Sequence, residues 1–142
     1  MRIVIDSNRV IAALIKDSTT RTIIFDGFFE FFAPEHIQNE IAEHREEIIE
    51  KIGINLDEFD ILLSMIFEHI IIIHQEEYNQ FIDTLKIEIK DLDDIPYLAV
   101  CKAINAEGLW THDIHFKEQK KFRIWTNIDM LKLSGRQNER VL

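Results

Sequence analysis

A chain of 142 residues with 46% hydrophobic content can bury roughly 68–70% of its unfolded surface, which excludes a disordered protein. No apolar run reaches the roughly 20 residues needed to cross a bilayer, and no long apolar stretch with a small-residue cleavage site opens the chain, so a cytoplasmic protein without a membrane partner is expected. The net charge of −10 argues against nucleic acid, but it is unevenly spread. Residues 1–113 carry nine Lys/Arg against 23 Asp/Glu, and residues 114–142 carry seven against three. Such a basic segment beside an acidic body either steers a polyanion to one face or is simply solvated.

Met1–Asn8 is the most informative stretch. Arg2–Ile5 reads as a short buried strand that stops at a carboxylate, and Asp6-Ser7-Asn8 offers cap chemistry for a helix over Arg9–Lys16. Asp17-Ser18-Thr19-Thr20 starts a second helix, ended by Gly27. Residues 28–33 are apolar on both faces and predict an interior strand, with Pro34 opening one long helix over 34–51. Asn55 caps a helix over 56–69, and the isoleucines 70–73 form a strand. Residues 75–87 fit either a helix or a helix followed by an irregular turn. Asp94-Ile95-Pro96 is the start signal of a helix over 97–106, in which Cys101 reads as a buried structural thiol. A strand over 109–111, a basic helix over 114–121, a strand over 122–126 and a helix capped by Asn127 and running to Ser134 complete the pattern. Alternating strands and helices predict an α/β fold with three layers, α/β/α, around a mainly parallel sheet. One domain over 1–134 and a mobile tail over 135–142 are expected.

Two acids fall at strand ends, Asp6 and Asp113, and a third, Asp94, at a helix start. Each alone has an ordinary reading as a cap or turn residue. On one edge of a parallel sheet, however, strand ends and helix starts come together, and unpaired carboxylates gathered there require a hard divalent cation. His112 and His115 flank Asp113 and offer a weaker, transition-metal alternative; His36 and His44 read as surface residues. Lys117, Lys120, Lys121 and Arg123 form a basic run that either meets phosphates beside such a pocket or is a solvated face. The phenylalanines at 25, 28, 29, 31 and 32 read as core rather than as a base-stacking platform.

Four segments, in order, resemble the PIN-domain family of nucleases. Ile3-Val4-Ile5-Asp6-Ser7-Asn8 followed by an apolar helix is similar to that family's opening motif. Ala33-Pro34-Glu35-His36-Ile37-Gln38-Asn39-Glu40-Ile41 resembles its helix-borne glutamate segment, Asp91-Leu92-Asp93-Asp94-Ile95-Pro96 its third acidic motif, and Trp110-Thr111-His112-Asp113 its fourth. Carried over, the resemblance implies a metal pocket of Asp6, Glu40, Asp94 and Asp113, with Asn8 and Thr111 as supporting polar groups. Glu43 and Glu35 compete with Glu40, and Asp93 competes with Asp94. Ser7 replaces the commoner threonine, and Arg9 replaces an apolar residue; Arg9 reads as a solvated side chain or as a phosphate contact. The implied activity is RNA phosphodiester hydrolysis with one or two Mg2+ or Mn2+ ions. Many members are toxins of toxin–antitoxin pairs, so a cognate antitoxin and a homodimer are implied partners. The alternatives are a PIN-like binding or scaffold module and a phosphate-accepting aspartate pocket, which would need a lysine after a late strand.

Overall fold

The computed structural model describes residues 1–15, 17–87 and 89–135. Lys16, the expected end of the first helix, and most of the expected mobile tail, 136–142, lie outside the described residues. The elements in chain order are β1 (Arg2–Ile5), α1 (Ser7–Leu14), α2 (Ser18–Phe25), β2 (Glu30–Pro34), α3 (His36–Glu43), α4 (Arg45–Ile52), α5 (Leu56–Phe67), β3 (Ile70–Ile73), α6 (Gln75–Tyr78), α7 (Ile82–Leu85), α8 (Ile95–Ala103), β4 (Gly108–Trp110), β5 (Ile124–Trp125) and α9 (Asn127–Ser134). Short 3-10 segments occupy Asn79–Phe81 and Ile114–Glu118.

The five strands form one parallel sheet in the order β3-β2-β1-β4-β5. In β1, Ile3, Val4 and Ile5 are all fully buried, as a strand covered on both faces requires. Helix α8 crosses β1, β2 and β4 with α6 and α7 beside it, while α5 packs on β3 and α1 meets α2, α3 and α5. This is the expected α/β/α architecture. Gly108 allows β5 to approach β4, because a Cβ there would run into the Arg123 carbonyl and the Trp125 indole.

Several boundaries differ from the sequence reading. Helix α1 starts at Ser7 rather than Arg9, because the Asp6 carboxylate accepts from the Ser7 N–H and caps it directly. Pro34 belongs to β2, paired with Ile73, since its fixed φ suits extended backbone as well as a helix start. The expected helix over 34–51 is broken at His44, where ψ of 1° interrupts the ladder and lets Ile48 reach the core on a second axis. Residues 75–87 are two short helical turns around a 3-10 segment, and the basic helix over 114–121 is a 3-10 stretch that ends at Glu118. Thr126, not Asn127, caps α9, in a reciprocal box with Asp129.

The sheet order reverses between β1 and β4. Chain travels outward from β1 through β2 to β3, then returns to the far side of β1 for β4 and β5. A crevice opens beyond the carboxyl ends of strands at such a reversal. Ile5 pairs with Trp110, so the next residues, Asp6 and Thr111, stand side by side at its floor.

Candidate metal centre

Asp6 is 5% exposed and held on both carboxylate oxygens. Its Oδ1 accepts from the Ser7 N–H at 2.8 Å, and its Oδ2 accepts from the Thr111 hydroxyl at 2.7 Å. The Thr111 oxygen in turn accepts from Asn8 Nδ2 at 3.1 Å and from the Asp113 N–H at 3.0 Å. One donor hydrogen and two lone pairs are thereby used, so the hydroxyl has one orientation. Asn8 and Thr111 thus tie the first and fourth acidic segments together.

Glu40 reaches the same place from α3. Its Oε1 accepts from the Tyr97 hydroxyl at 2.5 Å, and its Oε2 lies 3.2 Å from the Ser7 hydroxyl. Ser7 Oγ is also 3.5 Å from Asp6 Oδ1, so its single proton serves two carboxylates. Burial raises the proton affinity of Glu40, against the Tyr97, His36 and Ser7 contacts that lower it. Glu43, one step round the helix, is exposed, and Glu35 is turned to the Gln75 N–H. Glu40 is therefore the glutamate of this helix that faces the site.

Asp94 precedes α8 and is 8% exposed, yet its side chain makes no cap hydrogen bond and its buried Oδ2 has no partner among the described residues. Its pKa is pushed from 3.8 up to about 7, by burial first and then by the charges of Asp91, Asp113, Asp6 and Glu40. Asp6 rises from 3.8 to about 6, by burial first, with Glu40 and Asp113 adding to it and Thr111 and Ser7 opposing it. Asp93 points outward, its side chain 71% exposed and 3.3 Å from His36 Nε2. Asp113 holds the 3-10 turn beyond β4 by accepting from the His115 N–H at 2.9 Å, with His115 Nδ1 at 3.1 Å.

Four carboxylates therefore meet on one sheet edge, and the charges of Glu40 and Asp113 help to raise the proton affinity of Asp6 and Asp94. Among the described residues, no three His, Cys, Asp or Glu side chains stand as a ready-made cage for one ion. Mg2+ or Mn2+ asks for less, since one or two carboxylates suffice when water and phosphate oxygens complete the shell. The all-oxygen donor set and the bare Asp94 Oδ2 fit such a hard cation. His112 and His115 add no closed transition-metal set among the described residues.

Other expected site residues fall elsewhere. Arg9 is neither solvated nor free to meet phosphate: it is 7% exposed, with Nε donating to Asn8 Oδ1 at 3.0 Å and Nη1 to Thr20 Oγ1 at 3.3 Å. Buried there, it holds Asn8 in place. Lys117 lines a cavity with Asp113, and Lys120 is exposed. Lys121 lines a different cavity with Lys102 and Asn105, at the sheet edge opposite the acids, because chain must return there to begin β5. His36 is not a plain surface residue, for its Nε2 sits 3.7 Å from Glu40 and 3.3 Å from Asp93. His44 is exposed and pairs with Glu47. Tyr97 escaped the sequence reading because, within α8, it looks like any core aromatic; only its hydroxyl, aimed at an acid 57 residues away, distinguishes it.

No curated protein matches the chain. A family model described as a PIN domain matches residues 4–130, a span that runs from β1 into α9 and contains all four carboxylates. PIN domains are generally nucleases, and nucleases of this type typically use divalent metals. With that match over most of its length, on a five-stranded parallel α/β/α fold, the chain belongs to the PIN-domain family.

Proposed function

We propose that the protein is a divalent-metal-dependent endoribonuclease. The observation that carries this reading is the buried Asp94 Oδ2, without a partner among the described residues and set among Asp6, Glu40 and Asp113. Like charges gathered out of water must be offset, by protons below about pH 7 and by a cation above it. Asp6, Glu40, Asp94 and Asp113 would hold Mg2+ or Mn2+. When bound, the ion supplies Lewis-acid polarisation of a phosphodiester and an activated water.

The chain's own groups do the rest. Thr111 and Asn8 fix the Asp6 carboxylate, and Ser7 and Tyr97 fix Glu40. Burial holds the proton on the Tyr97 hydroxyl, so it remains a donor to Glu40. Lys117, exposed on the cavity that Asp113 also lines, offers a cation to a phosphate entering the crevice. The experiment is cleavage of single-stranded and structured RNA with Mg2+ or Mn2+. Wild type should cut, chelator should stop it, and Asp6→Asn and Asp94→Asn should abolish it. Absence of both cleavage and divalent-ion binding by the purified protein would refute the proposal. Service as the toxin of a toxin–antitoxin pair, with a homodimer as the assembly, is the role we infer; induced expression should then arrest growth, and Asp6→Asn should relieve the arrest.

A further inference from the structure

A cavity of about 300 Å³ lies on the β5 side of the acids, between the loop that follows β4 and the junction of β5 with α9. It shares Thr111 and Asp113 with the acidic site, so an occupant of the cavity would lie beside a phosphate at the acids. Its walls are aliphatic: Ile124 from β5, Ile114 and Ile128. Ile114 is 71% exposed and Ile128 60% exposed, two large apolar side chains left bare on adjoining elements. His112 and Asn127 line the same space and provide its polar edge.

We propose that this cavity is a nucleobase subsite, taking one unstacked base of the single-stranded RNA that flanks the phosphate at the carboxylates. It rests on the ribonuclease reading and names how that site would choose its substrate. A base is flat and apolar on its two faces and carries donors and acceptors round its edge, and enzymes hold extruded bases between apolar side chains. Isoleucine walls fit the faces. The Asn127 amide fits the edge: its Oδ1 accepts from Trp110 Nε1 at 2.8 Å and meets the His112 ring, and its Nδ2 donates to Thr20 at 3.3 Å, which fixes the group and leaves one Nδ2 hydrogen for a ligand. His112 brings an imidazole to the same edge. Lys117 on the rim suits the phosphate attached to that base. An apolar peptide side chain would fill the walls but leave the remaining Asn127 hydrogen and the Lys117 charge unanswered, which is why a base with its phosphate is the better occupant.

The test is a titration of the four ribonucleoside 5′-monophosphates into protein labelled at isoleucine methyls, in chelator so that no cleavage intervenes. One base type should move the Ile114, Ile124 and Ile128 methyls at concentrations at least roughly fivefold below the others, and the Ile114→Ser/Ile128→Ser double variant should weaken that binding roughly tenfold. Both changes are on exposed side chains, and the remaining methyl spectrum reports whether the variant is folded. Equal or absent shifts for all four nucleotides, or unchanged affinity in the double variant, would overturn the proposal. So would shifts produced only by a hydrophobic peptide. A parallel digest of random-sequence RNA with Mn2+ separates this subsite from the activity it serves. Selective binding without cleavage keeps the subsite and removes the ribonuclease reading; cleavage whose base preference survives the double variant does the reverse.

Discussion

Thr111 gives its only hydroxyl proton to Asp6 Oδ2, at 2.7 Å and across 105 residues of chain, while accepting from Asn8 and from the Asp113 backbone. One oxygen thus joins the end of β1, the start of α1 and the loop after β4. Thr111→Val keeps the shape and removes the donor, leaving a buried carboxylate oxygen and two donors unpaired. We expect a loss of about 2–3 kcal/mol in urea denaturation, with Thr111→Ser within about 1 kcal/mol of wild type. Equal stability of the valine variant would mean that Asp6 is held in some other way.

The raised acids make stability depend on pH. Asp6 and Asp94 move from 3.8 to about 6 and about 7, so over that range the native state keeps protons that the unfolded chain has released. Stability then falls as pH rises through about 4 to 7. In chelator the protein should be more stable at pH 5 than at pH 8 by about 1–3 kcal/mol, less than the separate shifts would sum to, because the two groups share one field. Mn2+ should reverse the trend, since it binds the deprotonated carboxylates and stabilises most at pH 8. Thermal melts at both pH values, with and without Mn2+, check both signs.

Asp94→Asn removes a charge that burial penalises. Metal-free at pH 8, this variant should be more stable than wild type by about 1 kcal/mol, while RNA cleavage falls at least roughly a hundredfold. Asp93→Asn alters an exposed side chain and should leave both quantities near wild type. A more active Asp94→Asn than Asp93→Asn would exchange the roles of the two neighbours.

Tyr97→Phe deletes the 2.5 Å contact with Glu40, and the hydroxyl's contact with Ser7, while keeping the ring. Freed from Tyr97, Glu40 keeps only Ser7 and the more distant His36. Groups that orient ligands in this way are worth roughly 10–100-fold, so kcat should drop about tenfold with little change in KM for RNA. An effect confined to KM would place Tyr97 in substrate binding instead.

Local chemistry made part of this legible in sequence. Three apolar β-formers ending at an acid read as a buried strand with Asp6 at its carboxyl end, and Asp94-Ile95-Pro96 reads as a helix start. Which acids face inward was not legible, because Glu40 and Glu43 differ only in helical phase, and phase depends on a break at His44 that no glycine or proline announces. Arg9 misled for a related reason. A cation next to a polar cap looks solvated until α2 supplies Thr20, and Asn8 the acceptor that buries it. Tyr97 and the cavity beside Asp113 depend on contacts between distant elements, which composition and periodicity do not encode.

The reversal of strand order between β1 and β4 also governs when the crevice can exist during synthesis. Asp6 is made early in the domain, but Thr111, its neighbour across the crevice, follows 105 residues later, and Asp113 after that. A chain interrupted before β4 has an open β1 edge, no Thr111 to hold Asp6, and no fourth carboxylate. If the crevice is the ribonuclease centre proposed above, products that stop short of β4 would be harmless to the messenger that encodes them.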